Sequence, residues 1–88
     1  MNEGICAALG NEVRVNLVLC LAKKSKNVSE LVATCGLAQS AVSQHLAKLK
    51  AAHFVHTTKQ GKEVFYSVKN KKIIRLCQLV VSLQKERL

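Results

Sequence analysis

The apolar residues of this chain change their spacing near Phe54, and that change limits the folds it can adopt. Before Phe54 they recur every three or four residues in separate stretches, as on the buried face of an α-helix. After it, apolar and polar residues alternate as far as Val68, the period of a half-buried β-strand. From Ile73 to Leu83 the spacing is helical again. Helices, one pair of strands and a final helix are therefore predicted, in that order.

Two helices are expected before the polar run at residues 23–26. Asn11 is a residue type that caps helix starts, and the apolar spacing behind it predicts a helix over about residues 12–23. The apolar segment at residues 5–9 is long enough for one or two helical turns, with Gly10 as the break between the two helices.

A helix-turn-helix is predicted next. Asn27 and Glu30 have capping-box spacing and begin a helix of about eight residues, which Gly36 ends because glycine readily takes the left-handed conformation after a helix. The second helix of the pair, residues 39–52, places apolar side chains on one face and polar side chains on the other. The apolar set is Val42, Leu46 and Leu49.

Residues 54–68 predict a β-hairpin, with Gln60, Gly61 and Lys62 at its turn, and a last helix begins near Asn70. A chain of 88 residues holds one core, so the predicted fold is a single winged helix-turn-helix domain over residues 1–88. Its class is mainly α with a β-hairpin wing (α+β), in the order α-α-α-α-β-β-α.

The charge is strongly positive and unevenly distributed. Fourteen lysines and arginines face five glutamates and no aspartate, a net charge of +9. Residues 1–44 carry four positive and three negative charges, whereas residues 45–88 carry ten and two. A one-sided cationic surface favours a polyanionic partner, nucleic acid first. No two glutamates have the spacing of a carboxylate pair on a helix, so an enzyme is not expected.

The sequence predicts neither a membrane span nor a secretory signal. Its apolar runs are much shorter than the roughly 18 residues that cross a bilayer, and residues 1–9 contain no basic residue ahead of their apolar segment. A cytoplasmic location and no membrane partner are therefore expected. The four cysteines include no C-x-x-C pair, and neither a disulfide framework nor a cofactor is predicted.

Four segments match the pattern of a known family: residues 9–14 (LGNEVR), 28–31 (VSEL), 36–49 (GLAQSAVSQHLAKL) and 64–68 (VFYSV). In these segments the chain resembles the ArsR family of bacterial and archaeal winged-helix repressors. The most specific piece is the recognition-helix run around Ser40, Ser43, Gln44, His45 and Leu46. The resemblance is strongest to the haemolysin-regulator (HlyU-like) members, which lack an inducer-metal site.

The resemblance implies a homodimeric repressor that occupies a palindromic operator, with one recognition helix in each half-site and the wing 54–68 beside it. Glutamine amides suit adenine, serine hydroxyls can donate to bases or phosphates, and lysines neutralise phosphates. His45 is expected to pack or to contact a phosphate. The candidate residues for binding double-stranded DNA are Gln39, Ser40, Ser43, Gln44, His45, Lys48, Lys50, Lys59 and Lys62.

The resemblance also implies a dimer interface formed by the first and last helices. The apolar stripe of the last helix is wider than a chain of this size needs to cover its own core, which fits that expectation. The candidate interface residues are Ile5, Ile73, Leu76, Cys77, Val80 and Leu83.

Two departures from the family pattern concern helix capping and metal sensing. Ala38 stands where the family usually has a residue that caps the recognition helix, a cap typically worth about 1 kcal/mol. Neither of the family's metal sites is retained, so no metal is expected and the inducer, a small molecule or a redox signal, is not identified. The positions that replace the metal ligands are Asn27 to Ser29, Val32, Asn70, Lys72, Val81 and Gln84.

Two alternatives remain open at the level of sequence. One is a winged-helix module for protein interaction, which the polar face and cationic neighbours of helix 39–52 disfavour. The other is a thiol- or redox-responsive regulator, in which Cys6 and Cys77 meet at the dimer interface or Cys20 and Cys35 meet within one subunit. The simpler reading is that all four cysteines fill core positions, as free cysteine commonly does.

Overall fold

The computed structural model describes residues 7–86. Residues 7–9 are helical, and six further elements follow. They are α1 (Glu12–Lys23), α2 (Val28–Cys35), α3 (Gln39–Ala51), β1 (Val55–Gln60), β2 (Glu63–Val68) and α4 (Lys71–Glu86). The predicted class and element order, a winged helix-turn-helix, are confirmed. The predicted bounds of the first helix lie partly outside the described residues.

The bounds of α1 and α2 follow from the capping residues that the sequence contains. The Oδ1 of Asn11 accepts hydrogen bonds from the amides of Val13 at 2.8 Å and Arg14 at 3.2 Å. The Oδ1 of Asn27 accepts from the Glu30 amide at 2.8 Å, while Glu30 Oε1 accepts from the Asn27 amide at 3.0 Å. This reciprocal pair is the predicted capping box, and it satisfies two amides that a helix start otherwise leaves unpaired.

The turn between α2 and α3 depends on Gly36. Its φ of 69° is left-handed, and its amide donates to the Val32 carbonyl at 2.9 Å, which closes the end of α2. A side chain at this position would be strained, because L-residues rarely adopt that conformation. The turn therefore sets the angle at which the chain enters α3.

The core lies where the inner faces of the four helices meet. The predicted inner face of α3 is confirmed, since all three of its apolar residues are fully buried. They pack with residues of α1, α2 and α4, and full burial of such side chains stabilises the fold by roughly 1.5–3 kcal/mol each. The fully buried side chains are Leu17, Val18, Leu31, Val42, Leu46, Leu49 and Cys77.

The hairpin is antiparallel, with Val55 opposite Val68 at its base and Gln60 opposite Glu63 at its tip. The turn is shorter than predicted: Gln60 is the last residue of β1, and only Gly61 and Lys62 form the loop. Gly61 has a φ of 63°, and glycine at the first position of a two-residue hairpin loop permits the tight turn. The tip is therefore compact.

A backbone bridge that the sequence did not predict joins the hairpin to the loop between α1 and α2. The Lys26 amide donates to the Tyr66 carbonyl at 3.0 Å, and the Tyr66 amide donates to the Lys26 carbonyl at 2.8 Å. Beside it, Asn27 Nδ2 donates to Glu63 Oε1 at 3.0 Å. These bonds fix the hairpin, referred to below as the wing, against the helix-turn-helix.

Helix α4 returns across the core and packs against α1 and β2. Its start is capped by Asn70, whose Oδ1 accepts from the Lys72 amide at 2.7 Å. Within residues 7–86, no helix has the length and apolar character that crossing a membrane requires.

Candidate nucleic-acid interface

Helix α3 presents a polar face to solvent along its whole length. Its thirteen residues extend about 20 Å, because an α-helix rises 1.5 Å per residue. The apolar face is fully buried, so the opposite face is held outward rigidly. Its outward polar side chains, all exposed, are Gln39, Ser40, Ser43, Gln44, Lys48 and Lys50.

Each exposed lysine of α3 lies near one of the uncharged polar residues of the same helix. At 100° per residue, Lys48 is about 40° around the helix from Gln44, one turn further along. Lys50 is about 20° from Ser43, two turns further along. The polar face thus has hydrogen-bonding side chains in its first half and cations in its second half. That arrangement places groups for base edges and groups for phosphates on one surface.

The first turn of α3 has no side-chain cap among the described residues. Ala38 has extended backbone angles, φ −64° and ψ 147°, and no side chain accepts a hydrogen bond from the amides that follow it. Unpaired amides at a helix start carry partial positive charge, and such a start favours anions, including phosphate. The loss of the cap predicted from Ala38 is therefore confirmed, and it leaves these amides free for an anion.

His45 lies at the edge of the polar face, partly exposed. Its Nδ1 is 3.3 Å from Nη1 of Arg14. Because a guanidinium can only donate, Nδ1 accepts, and the neutral ring carries its proton on Nε2. Burial lowers the pKa of His45, and the positive charges of Arg14 and Lys48 lower it further. These effects favour the neutral ring, which packs against Arg14 and has its donor on Nε2.

Arg14 is a residue whose role sequence reasoning missed. It is only 8 % exposed, yet its Nε donates to the Ala8 carbonyl at 2.8 Å and its Nη2 to the Ala7 carbonyl at 2.7 Å. These carbonyls end the helical turn at 7–9, where backbone acceptors lack helical partners. Arg14 therefore connects three parts of the fold: that turn, α1 and, through His45, the recognition helix.

The tip of the wing is cationic and open to solvent. Residues 58–64 are all exposed, and the tip includes Lys59 and Lys62. The bonds of Tyr66 and Glu63 to the loop before α2 hold the wing in place, so its lysines are presented by a fixed strand pair. The wing and α3 thus offer two separate sets of cations, both exposed.

The predicted dimer residues of α4 fall into three groups. Leu76 and Leu83 are 40 % and 60 % exposed, and with Leu79, at 54 %, they form an apolar stripe on the outer side of the helix. Ile73 and Val80 are half-buried between that stripe and the core. The placement of Cys77 at the interface is wrong, because its side chain is fully buried in the core. The remaining candidate, Ile5, lies outside the described residues.

Of the two cysteine pairings that the sequence left open, the structure places only Cys20 and Cys35 side by side within the described residues. Burial raises the pKa of Cys77 and leaves its thiol no exposed surface, while Cys6 lies outside the described residues. Cys20 and Cys35, in contrast, are partly exposed, with their Sγ atoms 3.9 Å apart. Across residues 7–86, no three histidine, cysteine or acidic side chains are grouped as a metal site would require.

Comparison with known proteins identifies the family. The model described as "Bacterial regulatory protein, arsR family" matches residues 11–57, from the cap of α1 through α3 into β1. The chain belongs to the ArsR family. This confirms the resemblance inferred from the sequence. Because the family and the relatives are transcriptional regulators, the prediction that the chain is not an enzyme is confirmed too.

Two curated relatives and two solved structures illustrate the similarity. The nodulation protein NolR of Rhizobium meliloti is 33 % identical over 73 residues, 83 % of this chain and 60 % of NolR. The transcriptional activator HlyU of Vibrio cholerae is 34 % identical over 73 residues, 83 % of this chain and 68 % of HlyU. The solved structure of that HlyU matches with a TM-score of 0.80 and 32 % identity, covering 91 % of this chain and 87 % of that chain.

The second structure is described as the homodimeric winged helix-turn-helix DNA-binding domain of Mb0332 from Mycobacterium bovis, a possible ArsR-family regulator. It has a TM-score of 0.83 and 25 % identity, and covers 97 % of this chain and 79 % of that chain. The chain spans less than two thirds of the length of NolR.

Proposed function

We propose that the chain is a sequence-specific DNA-binding regulator of transcription that acts in the cytoplasm as a homodimer. The observation that carries the proposal is the rigid, exposed polar face of α3 with cations in its second half. A face about 20 Å long matches the major groove, which admits one helix and displays a distinct pattern for each base pair.

With α3 in the major groove, Gln39 and Gln44 are the base readers, because a side-chain amide can both donate to and accept from adenine. Ser40 and Ser43 add donors at the start of the helix. The free amides after Ala38 bind one phosphate of the adjoining backbone. His45 donates its Nε2 proton to another phosphate and does not read a base.

The lysines position the protein on the backbone. Lys48 and Lys50 neutralise phosphates beside the groove that holds α3, and Lys59 and Lys62 reach the backbone from the wing tip. The lysines at the start of α4 have no such role. Since Val68 pairs with Val55 at the base of the wing, these lysines lie beyond a strand of six residues, about 17–20 Å from the tip.

A second copy of the chain is the proposed partner of α4. Leu76, Leu79 and Leu83 form a continuous exposed stripe, which water disfavours and which an identical stripe can cover about a twofold axis. The homodimeric state of the Mb0332 domain supports this arrangement. A twofold dimer carries two α3 helices, so its operator is palindromic.

Repression by occupancy is the proposed outcome at the promoter. It needs only operator binding, which the α3 face and the wing supply. A reporter gene placed behind the operator, once that operator has been selected from random DNA, measures whether the protein represses or activates transcription. Expression that falls when the regulator is present supports repression, and expression that rises identifies an activator.

Selection of binding sites from random duplex DNA tests the function itself. The proposal predicts enrichment of a palindrome whose half-sites lie about one helical turn, roughly 10 base pairs, apart. Recovery of unenriched DNA after several rounds would refute sequence-specific binding. An enriched site without twofold symmetry would refute the homodimer on DNA.

The salt dependence of binding tests the roles given to the lysines. Each phosphate contact adds about −0.9 to the slope of log K against log salt, so Lys59→Ala with Lys62→Ala in both subunits of the dimer is expected to reduce the slope by about 4. The matched control is Lys71→Ala with Lys72→Ala, which removes the same charge from the start of α4. Equal changes in slope for the two pairs would contradict the assigned wing contacts.

A further inference from the structure

Cys20 and Cys35 pack against the edge of the core, remain partly exposed and form a close pair that has no role in the proposed DNA surface. Cys20 lies in the last turn of α1 and Cys35 is the last residue of α2. Their sulfur atoms are 3.9 Å apart, close enough for one thiol to donate to the other. The contact therefore links the end of α1 to the end of α2, the first helix of the helix-turn-helix.

Small molecules can reach this pair. Both cysteines line a surface pocket of about 280 Å³, together with Val13, Asn16, Thr34 and Leu37. The Lys26 ammonium lies nearby and donates to the Cys20 carbonyl at 2.8 Å. Burial and the neighbouring Cys20 thiol raise the pKa of Cys35, while the charge of Lys26 acts in the opposite direction. The pair thus combines access, proximity of two sulfurs and an adjacent cation.

We propose that Cys20 and Cys35 are an oxidation site at which a hydroperoxide forms an intramolecular disulfide. One thiolate attacks the peroxide, whose O–O bond breaks to give a sulfenic acid and, from hydrogen peroxide, water. The second thiol then displaces the sulfenic hydroxyl as water and closes the S–S bond. In sum, two thiols lose two electrons and two protons, and one hydrogen peroxide becomes two waters.

Closing the bond pulls the end of α2 towards α1. A disulfide has an S–S length of about 2.05 Å, so the two sulfurs approach by about 1.9 Å from their present separation. Cys35 immediately precedes Gly36, the left-handed residue that sets the entry into α3. The bond therefore displaces the turn that orients the recognition helix, and weaker DNA binding follows. This last step rests on the proposed function.

Peptide mapping after peroxide treatment tests the site without any variant. Trypsin places Cys20 on the peptide 15–23, Cys35 on 27–48 and Cys77 on 76–85. With free thiols alkylated first, we expect peptides 15–23 and 27–48 to be recovered joined, from chains that remain uncrosslinked to one another. Recovery of both peptides alkylated, or of a link to any other cysteine or between chains, would overturn the site.

DNA binding tests the consequence. The oxidised wild type is expected to bind its selected site at least tenfold more weakly and to recover when a dithiol reductant is added. Cys20→Ser and Cys35→Ser are expected to bind equally with and without peroxide, and Cys77→Ser to respond as the wild type does. A joined peptide pair with unchanged affinity would refute the regulatory effect. If reduced protein selects no DNA at all, the proposed function fails, while the peptide map still decides the oxidation site.

Discussion

Replacing Arg14 by methionine tests whether this buried cation holds the N-terminal helical turn and the recognition helix together. Methionine keeps an apolar stem of similar length but removes the guanidinium, which donates to two carbonyls at 2.8 and 2.7 Å and lies 3.3 Å from His45 Nδ1. Hydrogen bonds from an ionised donor contribute about 1.5–3 kcal/mol each. The methionine variant no longer buries a charged group, and this gain offsets part of the free energy lost with the hydrogen bonds.

The expected loss of unfolding free energy is therefore about 2–4 kcal/mol. For a domain of this size it corresponds to a fall in Tm of at least about 8 °C. Urea unfolding followed by circular dichroism, at one fixed protein concentration, measures the change, since the stability of a dimer depends on concentration.

Arg75→Met is the matched control, because Arg75 is exposed on α4 and its loss is expected to change the free energy by less than about 0.5 kcal/mol. The two variants differ in position and not in chemistry. If Arg14→Met and Arg75→Met unfold at the same urea concentration, Arg14 does not have the structural role derived from its hydrogen bonds.

Three further predictions concern caps, pH and the dimer. Asn27→Ala is expected to lower the unfolding free energy by about 1 kcal/mol and Ala38→Ser to raise it by a similar amount, because one removes an N-cap and the other adds one. As pH falls from 7.5 to 5.5, stability should fall less in His45→Gln than in the wild type, since the lowered pKa of His45 means that the unfolded chain takes up the proton first. Leu79→Glu with Leu83→Glu should convert the dimer to a monomer in analytical ultracentrifugation.

Each of these has an outcome that contradicts it. Equal urea midpoints for the wild type and Ala38→Ser would mean that the backbone amides at the start of α3 already have hydrogen-bond partners. An identical loss of stability between pH 7.5 and 5.5 with and without the His45 ring would mean that other groups cause it. A double glutamate variant that sediments as a dimer would exclude the leucine stripe as the interface. Lys71→Ala with Lys85→Ala is the control, because it changes the net charge by the same amount on another face of α4.

Local signals predicted most of the fold. Asn11, Asn27 and Gly36 set helix ends through bonds within a few residues, and all three act as predicted. Gly61 marked the hairpin turn, although the loop has two residues and not three. Such features could be predicted because the cause and its effect lie close together in the chain.

The missed features are those that depend on distant parts of the chain. The bridge between Lys26 and Tyr66 is made by backbone atoms, which leave no trace in the choice of side chains. Arg14 donates to the carbonyls of Ala7 and Ala8, which lie within its reach only because the helical turn at 7–9 packs beside α1. Cys77 was misplaced because a wide apolar stripe does not reveal which side faces the core.

Within the candidate site, the helix carrying the polar residues was predictable, but the partners of its edge residues were not. The exposed polar face of α3 follows directly from the positions of its three buried apolar residues. The sequence predicts that His45 packs or contacts a phosphate, and its contact with Arg14 is known only from the structure. The contact of Cys20 with Cys35 was one of two pairings that the sequence left open, and the structure brings these two sulfurs together.

The central claim, that α3 reads bases, is tested most directly by comparing the base preferences of the wild type and Gln44→Ala at every position of the selected operator. Gln78→Ala is the control, because it removes the same amide from an exposed position on α4. We expect the preference to collapse at one position in each half-site, by about 1–3 kcal/mol, with the other positions and the control unchanged. A uniform loss of affinity without any change in base preference would contradict the claim.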